Sequence, residues 1–382
     1  MNKITTQNQK PTDTETLHAN LIPKYIDTCI CCNKCMDACP VTKPSFTIQE
    51  LNNASKKITP VPSTIRKFAF NCVQCGKCVP VCPMQIRRDY MIRYIKHKLR
   101  HIKPKTYKRY LLVKGVKKTG IKRIVQNLFI YFRKITTKDL SAYMENTPLI
   151  QNKLLFYPGC YIYSTTTIRQ TLRLLKHVSS SISIIGGVTN CCGGPHLIQG
   201  EYDQADSCKK ILYEKIKTVK PDIILTACAE CHEVLETIKK QYNENYNVLH
   251  VIEYLLQHIE KFPDKKIRGD MMIHPSCRYK KDSPQMTAAN LTVKRFANLR
   301  ETKENLESCC FQWNHQFDQH NTNRQQTYLS SVKKNASTLA CVCLTCYEEL
   351  SKQKTDVEIM DIIQLFDEAL NNTNKERKTC EQ

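Results

Sequence analysis

Residues 222–236 read DIILTACAECHEVLE, and residues 342–351 read VCLTCYEELS. The first is a short apolar run that ends in Cys228-Ala-Glu-Cys231, and the second repeats the cysteine step as Cys343-Leu-Thr-Cys346. A brief apolar run stopped by a change of composition is the mark of a buried strand. Towards the N-terminus, SISIIGG (181–187) and KLLFYPGC (153–160) have the same strand-like character. Between and beyond them, Thr166 to Val178, with Ile168, Leu172 and Leu175, and Tyr202 to Val219 have helical spacing. Strands that alternate with helices point to an α/β layer. Cysteines stand where the strand-like runs end: Cys160, then Cys191-Cys192-Gly193, then Cys228 and Cys231. The order returns as Cys277, then Cys309-Cys310-Phe311, then Cys343 and Cys346, at an offset that stays between 115 and 118 residues. So steady an offset marks an internal duplication, and two copies of one α/β unit are expected over 151–262 and 263–370.

The N-terminal part carries a different repeat. Residues 29–40 read CICCNKCMDACP and residues 72–83 read CVQCGKCVPVCP. Cys29, Cys32, Cys35 and Cys39, and again Cys72, Cys75, Cys78 and Cys82, follow C-x-x-C-x-x-C-x-x-x-C-P. Three closely spaced thiolates reach one 4Fe-4S core without a long loop to order, and the fourth ligates the neighbouring cluster. This crossing assigns Cys29, Cys32, Cys35 and Cys82 to one cubane and Cys72, Cys75, Cys78 and Cys39 to the other. A structural zinc site needs four thiolates but not the three-step run closed by proline. Cys31 is left over as a spectator thiol. Between the runs lie a helix-like stretch around Phe46 to Lys57 and a turn rich in proline, with Pro60 and Pro62.

Together these residues resemble a known family. The long insert between the ferredoxin runs is similar to the all-helical ferredoxin domain of fumarate reductase iron-sulfur subunits. The order C, C-C-G, C-x-x-C resembles the cysteine-rich CCG domain. A ferredoxin pair followed by two CCG halves resembles heterodisulfide reductase D-type subunits and the iron-sulfur subunits of anaerobic glycerol-3-phosphate dehydrogenase and glycolate oxidase. The resemblance implies an α-helical ferredoxin domain followed by a duplicated α/β cysteine-rich (CCG) domain. The segments it implies are a polar tail (1–20), the two-cluster domain (21–100), a basic amphipathic linker (101–150), the two CCG domains and a tail (371–382). It also implies that Cys160, Cys191, Cys192, Cys228 and Cys231 hold one noncubane 4Fe-4S cluster and that Cys277, Cys309, Cys310, Cys343 and Cys346 hold a second, with zinc as the alternative. Phe311 departs from the family pattern, which has glycine there; a bulky residue would crowd the inorganic core of the second site. Cys341 aligns with Thr226 and is not expected to ligate, Cys208 is expected in the core and Cys380 in the tail. His196, His232 and His274 are expected to make ordinary polar contacts.

Composition sets the limits. The chain has 382 residues, 41% hydrophobic and 24% charged, which excludes a disordered or polytopic membrane protein and leaves room for two or three domains. Its 22 cysteines, with vicinal pairs at Cys31-Cys32, Cys191-Cys192 and Cys309-Cys310, suit metal ligation in a reducing compartment better than a secreted disulfide framework. The polar N-terminal residues lack the apolar core of a signal peptide, and apolar runs such as Leu128 to Phe132 are far too short to span a bilayer. The net charge of +23 is concentrated between Arg87 and Lys134, which hold 17 Lys and Arg against one acid, Asp89. Within this stretch Ile121, Ile124, Val125, Leu128 and Phe132 share one helical face, so the stretch is expected to be either a solvated linker face or a surface that meets an anionic membrane or an acidic partner; nucleic acid is not expected, because no reader motif accompanies the charge.

No G-x-G-x-x-G after a strand, no Walker loop and no serine-nucleophile motif is present in the sequence. Substrate chemistry is therefore expected in a separate flavoprotein dehydrogenase subunit. The function expected is an iron-sulfur electron-transfer subunit of a respiratory-type oxidoreductase. It relays electrons through two 4Fe-4S cubanes and the CCG centres to a quinone or a membrane anchor subunit. The alternative is a disulfide or heterodisulfide reductase with catalysis at a CCG centre. The expected location is cytoplasmic, with peripheral attachment to the cytoplasmic face of the membrane left open.

Overall fold

A computed structural model describes residues 13–39, 45–56, 60–72, 74–99, 144, 147–160, 165–301 and 318–380. Cys309, Cys310 and Phe311, and residues 100–143, which hold most of the basic stretch with its Ile121 to Phe132 face, lie outside these residues. The chain divides into two compact units, Met1–Lys105 with Pro195–Ser207, and Thr106–Gly194 with Cys208–Gln382.

The first unit is built from α1 (Asp13–Asp27), α2 (Lys34–Asp37), α3 (Ile48–Ser55), α4 (Ser63–Asn71) and α5 (Arg88–Lys98). Helix α3 starts at Ile48 rather than at Phe46 because a capping box stops it there. Thr47 Oγ1 accepts from Glu50 N at 3.2 Å, and Glu50 Oε2 accepts from Thr47 N at 2.7 Å. The apolar core takes Leu51 from α3, Ile65 and Phe68 from α4, and Ile92 and Ile95 from α5.

Helix α5 is buried on every side, and Arg88, Asp89, Arg93, Lys96 and His97 are buried with it. Buried polar groups need partners, and α5 finds them in the loops around it. Arg93 Nε donates to Gln74 Oε1 at 2.9 Å, and Lys96 Nζ donates to the carbonyls of Cys72 at 3.3 Å and Ile198 at 3.1 Å. Burial pushes the Lys96 pKa down to about 8. His97 Nδ1 donates to the Gly200 carbonyl at 2.9 Å, and the His97 ring stacks on Tyr202 at 4.4 Å. Residues 195–207 therefore pack with α5, although in sequence they lie inside the span expected of the first CCG domain. Gly200 makes this possible: its φ is +72°, and a Cβ there would lie 2.3 Å from His97 N.

The second unit contains β1 (Leu154–Phe156), α6 (Thr165–Val178), β2 (Ser183–Ile184), a 3-10 turn (Val188–Asn190), α7 (Gly194–Ile198), α8 (Tyr202–Val219), β3 (Ile223–Thr226), α9 (Ala229–Gln241), β4 (Asn247–His250) and α10 (Val251–Gln257). It continues with β5 (Asp270–His274), α11 (Pro284–Phe296), β6 (Asn298–Leu299), α12 (Asp318–Lys333), β7 (Thr338–Cys341), α13 (Leu344–Leu350), β8 (Glu358–Asp361) and α14 (Ile363–Cys380). Of these, α7 and the first turn of α8 fall mostly within residues 195–207 of the first unit. The strands form two parallel sheets, ordered β2-β1-β3-β4 and β6-β5-β7-β8. Parallel strands covered on both faces read as continuous apolar runs, and Leu155, Phe156, Ile224, Leu225, Leu339 and Ala340 are fully buried. The strand expected over 181–187 shrinks to Ser183–Ile184, since Gly187 turns the chain at φ +87°. A single apolar cluster takes Phe156, Leu174 and Leu225 from one half and Phe296 and Phe366 from the other. Arg173 Nε donates to buried Asp367 Oδ1 at 2.9 Å, joining α6 to α14 across this core. Among the described residues no helix is long and apolar enough to cross a membrane.

Gly200→Ala is expected to destabilise the first unit by at least roughly 1–2 kcal/mol, the cost of a left-handed non-glycine residue, with the clash against the α5 backbone added to it. Anaerobic denaturation of the variant and the parent checks this; equal midpoints would show that the 195–207 segment does not depend on α5.

Candidate metal centres

In the first unit the two cysteine runs adopt the same local form. The second residue between the first two cysteines is left-handed in both, Cys31 at φ 55° and Gln74 at φ 57°. So is the residue after the second cysteine, Asn33 at φ 61° and Gly76 at φ 71°. Such turns gather backbone N–H groups on the concave side of a loop, which suits an anionic occupant. Cys31 N donates to Cys29 Sγ at 3.4 Å, and Gln74 Nε2 donates to Cys72 Sγ at 3.4 Å.

The loops line two cavities. Cys29, Cys32, Cys35 and Cys82 line one, together with Cys31. Cys39, Cys72, Cys75 and Cys78 line the other. Cys35 and Arg88 belong to both walls. The fourth cysteine of each run thus stands with the first three of the other run. Cys31 faces Gln49, its Sγ 2.9 Å from Oε1.

Charge within these cavities follows burial and hydrogen bonding. Burial pushes Cys72 up to about 11, pushes Cys78 well up and raises Cys35. Burial also acts to raise Cys29, but hydrogen bonds from Asn52 and the Cys31 N–H, with the Arg88 charge, outweigh it and hold that thiol below its usual range.

In the second unit every described cysteine of the repeated pattern stands beyond the carboxyl end of a strand, where open parallel sheets bind ligands. Cys160 follows β1, Cys191 and Cys192 follow β2, and Cys228 follows β3; Cys277 follows β5, and Cys343 follows β7. Cys228 and Cys343 are the extended N-cap residues of α9 and α13, and Cys231 and Cys346 lie one turn inside.

Asn190 positions the Cys191-Cys192 step. Its Nδ2 donates to the Gly186 carbonyl at 2.6 Å, and its own carbonyl accepts from Tyr157 Oη at 2.7 Å. Gly193 N donates to Cys191 Sγ and Gly194 N to Cys192 Sγ, each at 3.4 Å. Cys231 Sγ lies 3.6 Å from Cys192 Sγ. Gly159, at φ +101°, keeps the floor open, because a Cβ there would lie 3.2 Å from Cys231 Sγ.

The two halves meet at these cysteines. Leu344 N donates to the Ala227 carbonyl at 3.1 Å, and Arg278 Nε contacts Glu230 Oε2 at 2.6 Å with both side chains largely buried. Hydrogen bonds from Cys191, Cys231 and the Gly194 N–H hold the Cys192 thiol well below its usual range despite burial. Hydrogen bonds from Cys228, Cys346 and the Ala229 N–H do the same for Cys343. Cys191 is pushed up by hydrogen bonding to Cys160, Cys192 and Cys208 and by burial. For Cys228 the lowering bond with Cys231 is outweighed by the bond with Cys343 and by burial. Each half thus offers a buried cysteine of lowered pKa beside thiols of raised pKa, and metal entry there must release protons.

The donor set fits iron-sulfur clusters: soft cysteine sulfurs on cavity walls and backbone N–H groups directed at sulfur. Among the described residues no group of three or more His, Cys, Asp or Glu side chains is drawn together closely enough to hold a single metal ion.

Two residues enter the sites without a signal in the sequence. Cys208 on α8, expected as plain core, packs against Cys160 and Cys191. Arg88 donates to Cys29 Sγ at 2.9 Å. Cys341 ends β7 inside the apolar core. The histidines make polar contacts: His196 with Glu201 at 3.1 Å, His232 with Gln285 at 3.5 Å and His274 with the Tyr328 hydroxyl at 2.9 Å.

Comparison with known proteins agrees with this chemistry. Residues 24–83 match the family model of the 4Fe-4S dicluster domain, and residues 154–236 match that of the cysteine-rich CCG domain. No curated protein matches the chain. Among solved structures, an aspartate racemase homologue from Pyrococcus horikoshii OT3 aligns over 58% of this chain and 99% of its own at 13% identity, with a TM-score of 0.27. The chain therefore carries a 4Fe-4S dicluster domain followed by a CCG cysteine-rich region on parallel α/β sheets, and has an iron-sulfur electron-transfer role.

Gly159→Ala is expected to lower the iron retained by the second unit while leaving that of the first intact, because the left-handed backbone and the 3.2 Å approach to Cys231 both oppose a side chain. Iron per chain and the visible absorption after anaerobic gel filtration report it; full retention would mean that the β1 loop does not shape the site.

Proposed function

We propose that this chain is the iron-sulfur subunit of a respiratory-type oxidoreductase, working between a flavoprotein dehydrogenase and a quinone or membrane partner. The observation that carries the reading is the pair of cysteine-lined cavities that share the wall of Cys35 and Arg88, each joining three cysteines of one run to the fourth of the other. Cys29, Cys32, Cys35 and Cys82 would hold one 4Fe-4S cubane, and Cys39, Cys72, Cys75 and Cys78 the other. Cys160, Cys191, Cys192, Cys228 and Cys231 would hold a noncubane cluster. Cys277, Cys309, Cys310, Cys343 and Cys346 would hold a second. When bound, such clusters supply one-electron transfer at potentials set by charge, hydrogen bonds to sulfur and exposure. The protein's own part is to hold the thiolates, direct N–H groups at them and keep water from their buried faces.

The shared strand order of the two sheets supports an internal duplication. The absence of strands among the described residues 13–99 favours a helical ferredoxin type. The sequence offers no nucleotide-binding loop, so two-electron chemistry is assigned to the flavoprotein partner. The basic stretch from Arg87 to Lys134 is the element proposed to meet an anionic bilayer or an acidic partner.

One observation favours a second reading, a disulfide reductase. Cys228 of one half lies close enough to Cys343 of the other to shift its pKa, and beside them the Tyr279 hydroxyl is buried without a hydrogen-bond partner. A group that can donate a proton next to paired thiols suits reductive cleavage of an S–S bond.

Anaerobically purified protein is expected to carry about sixteen iron atoms per chain, four for each of four clusters. Iron near eight with about two zinc would move both CCG halves to zinc. The two readings part on turnover. A relay subunit supplied with a low-potential one-electron donor is expected to reduce no small disulfide by itself. Robust turnover by the purified chain that Cys231→Ser abolishes would establish the reductase instead.

A further inference from the structure

Arg88 is the first residue of α5 and is 3% exposed. Its guanidinium donates from Nη2 to Cys29 Sγ at 2.9 Å and from Nη1 to Asn52 Oδ1 at 2.6 Å, with Met91 Sδ 2.9 Å from the same nitrogen. Nε is buried with no hydrogen-bond partner. None of these contacts is a carboxylate. The adjacent acid, Asp89, is taken by Arg87 through two hydrogen bonds, at 2.9 and 2.7 Å. An arginine does not shed its proton in a protein, and a buried charge without a counter-charge is strongly unfavourable. The missing negative charge must therefore come from what Arg88 faces, and it faces both cysteine-lined cavities.

A core of iron and sulfide held by four thiolates carries net negative charge, and it gains one more negative charge on reduction. A fixed cation in a low-dielectric wall stabilises the reduced form more than the oxidised form. We infer that Arg88 is a positioning residue that supplies the positive charge shared by the two clusters of the first unit and raises the reduction potential of both. The effect is larger for the cluster on Cys29, whose sulfur accepts a hydrogen bond directly. The inference rests on the reading that these two cavities hold 4Fe-4S clusters.

The test is an anaerobic potentiometric titration of the full chain followed by electron paramagnetic resonance, with iron counted in every sample. Arg88→Gln is expected to lower the midpoints of both cubanes, that of the Cys29 cluster by roughly tenfold in the oxidised-to-reduced ratio, about 59 mV for one electron. Arg88→Lys, which keeps the charge, is expected to restore most of the shift. Asn52→Asp leaves the arginine in place but sets a carboxylate against it, and it too is expected to lower both midpoints. Signals of the second unit are expected to stay where they are. An Arg88→Gln protein with full iron and unchanged midpoints overturns the inference. Should that variant fail to retain iron, unchanged midpoints in Asn52→Asp overturn it as well. Wild-type protein with no cubane signals from the first unit would instead refute the functional reading on which the inference stands.

Discussion

A helix buried on every side cannot leave a charge unanswered, and α5 carries four cationic or ionisable bases and one acid into the interior of the first unit. Each ends on a loop that the fold must place: Arg88 on the Cys29 sulfur, Arg93 on Gln74, Lys96 on the Cys72 carbonyl, His97 on the Gly200 carbonyl. The cysteine loops are thus tied to the central helix through polar bonds as well as apolar contact. Polar contacts of this kind set direction, which apolar contact does not, and direction is what cysteine ligands require.

The second unit obeys a different constraint. Parallel strands end with their side chains and the N-termini of the following helices at one edge of the sheet, so whatever is attached to that edge converges. Cys228 and Cys343 occupy equivalent places after the second central strand of each sheet and cap the next helix with the same extended backbone. Ionising a buried thiol is costly unless hydrogen bonds answer the charge, and at Cys192 and Cys343 neighbouring thiols and backbone N–H groups lower that cost. The shared core of Phe156, Leu225, Phe296 and Phe366 holds the two halves together behind the sulfur-rich edge.

The buried pair of Arg278 and Glu230 illustrates what such placement is worth. Burying both charges costs desolvation that their attraction barely offsets, so the pair adds little stability against an apolar substitute. Its consequence is geometric. Glu230 lies between Cys228 and Cys231, and Arg278 follows Cys277, so the ion pair aligns a ligand loop of one half with a ligand loop of the other.

Much of this was legible in the residues alone, because it is local. Three thiols at spacings of three residues must lie on one short loop, and apolar runs ending in cysteine must place that cysteine at a strand terminus. Only the tertiary structure decided which distant residues meet them. Nothing periodic marks Arg88 as the neighbour of Cys29, 59 positions away, or Cys208 as the neighbour of Cys160 and Cys191. Nor does the sequence show that residues 195–207 pack with α5, or that Cys228 of one half lies near Cys343 of the other. Spacing along a chain constrains the conformation of a few consecutive residues. The company a buried side chain keeps follows from the packing of whole elements, and that is a property of the folded molecule.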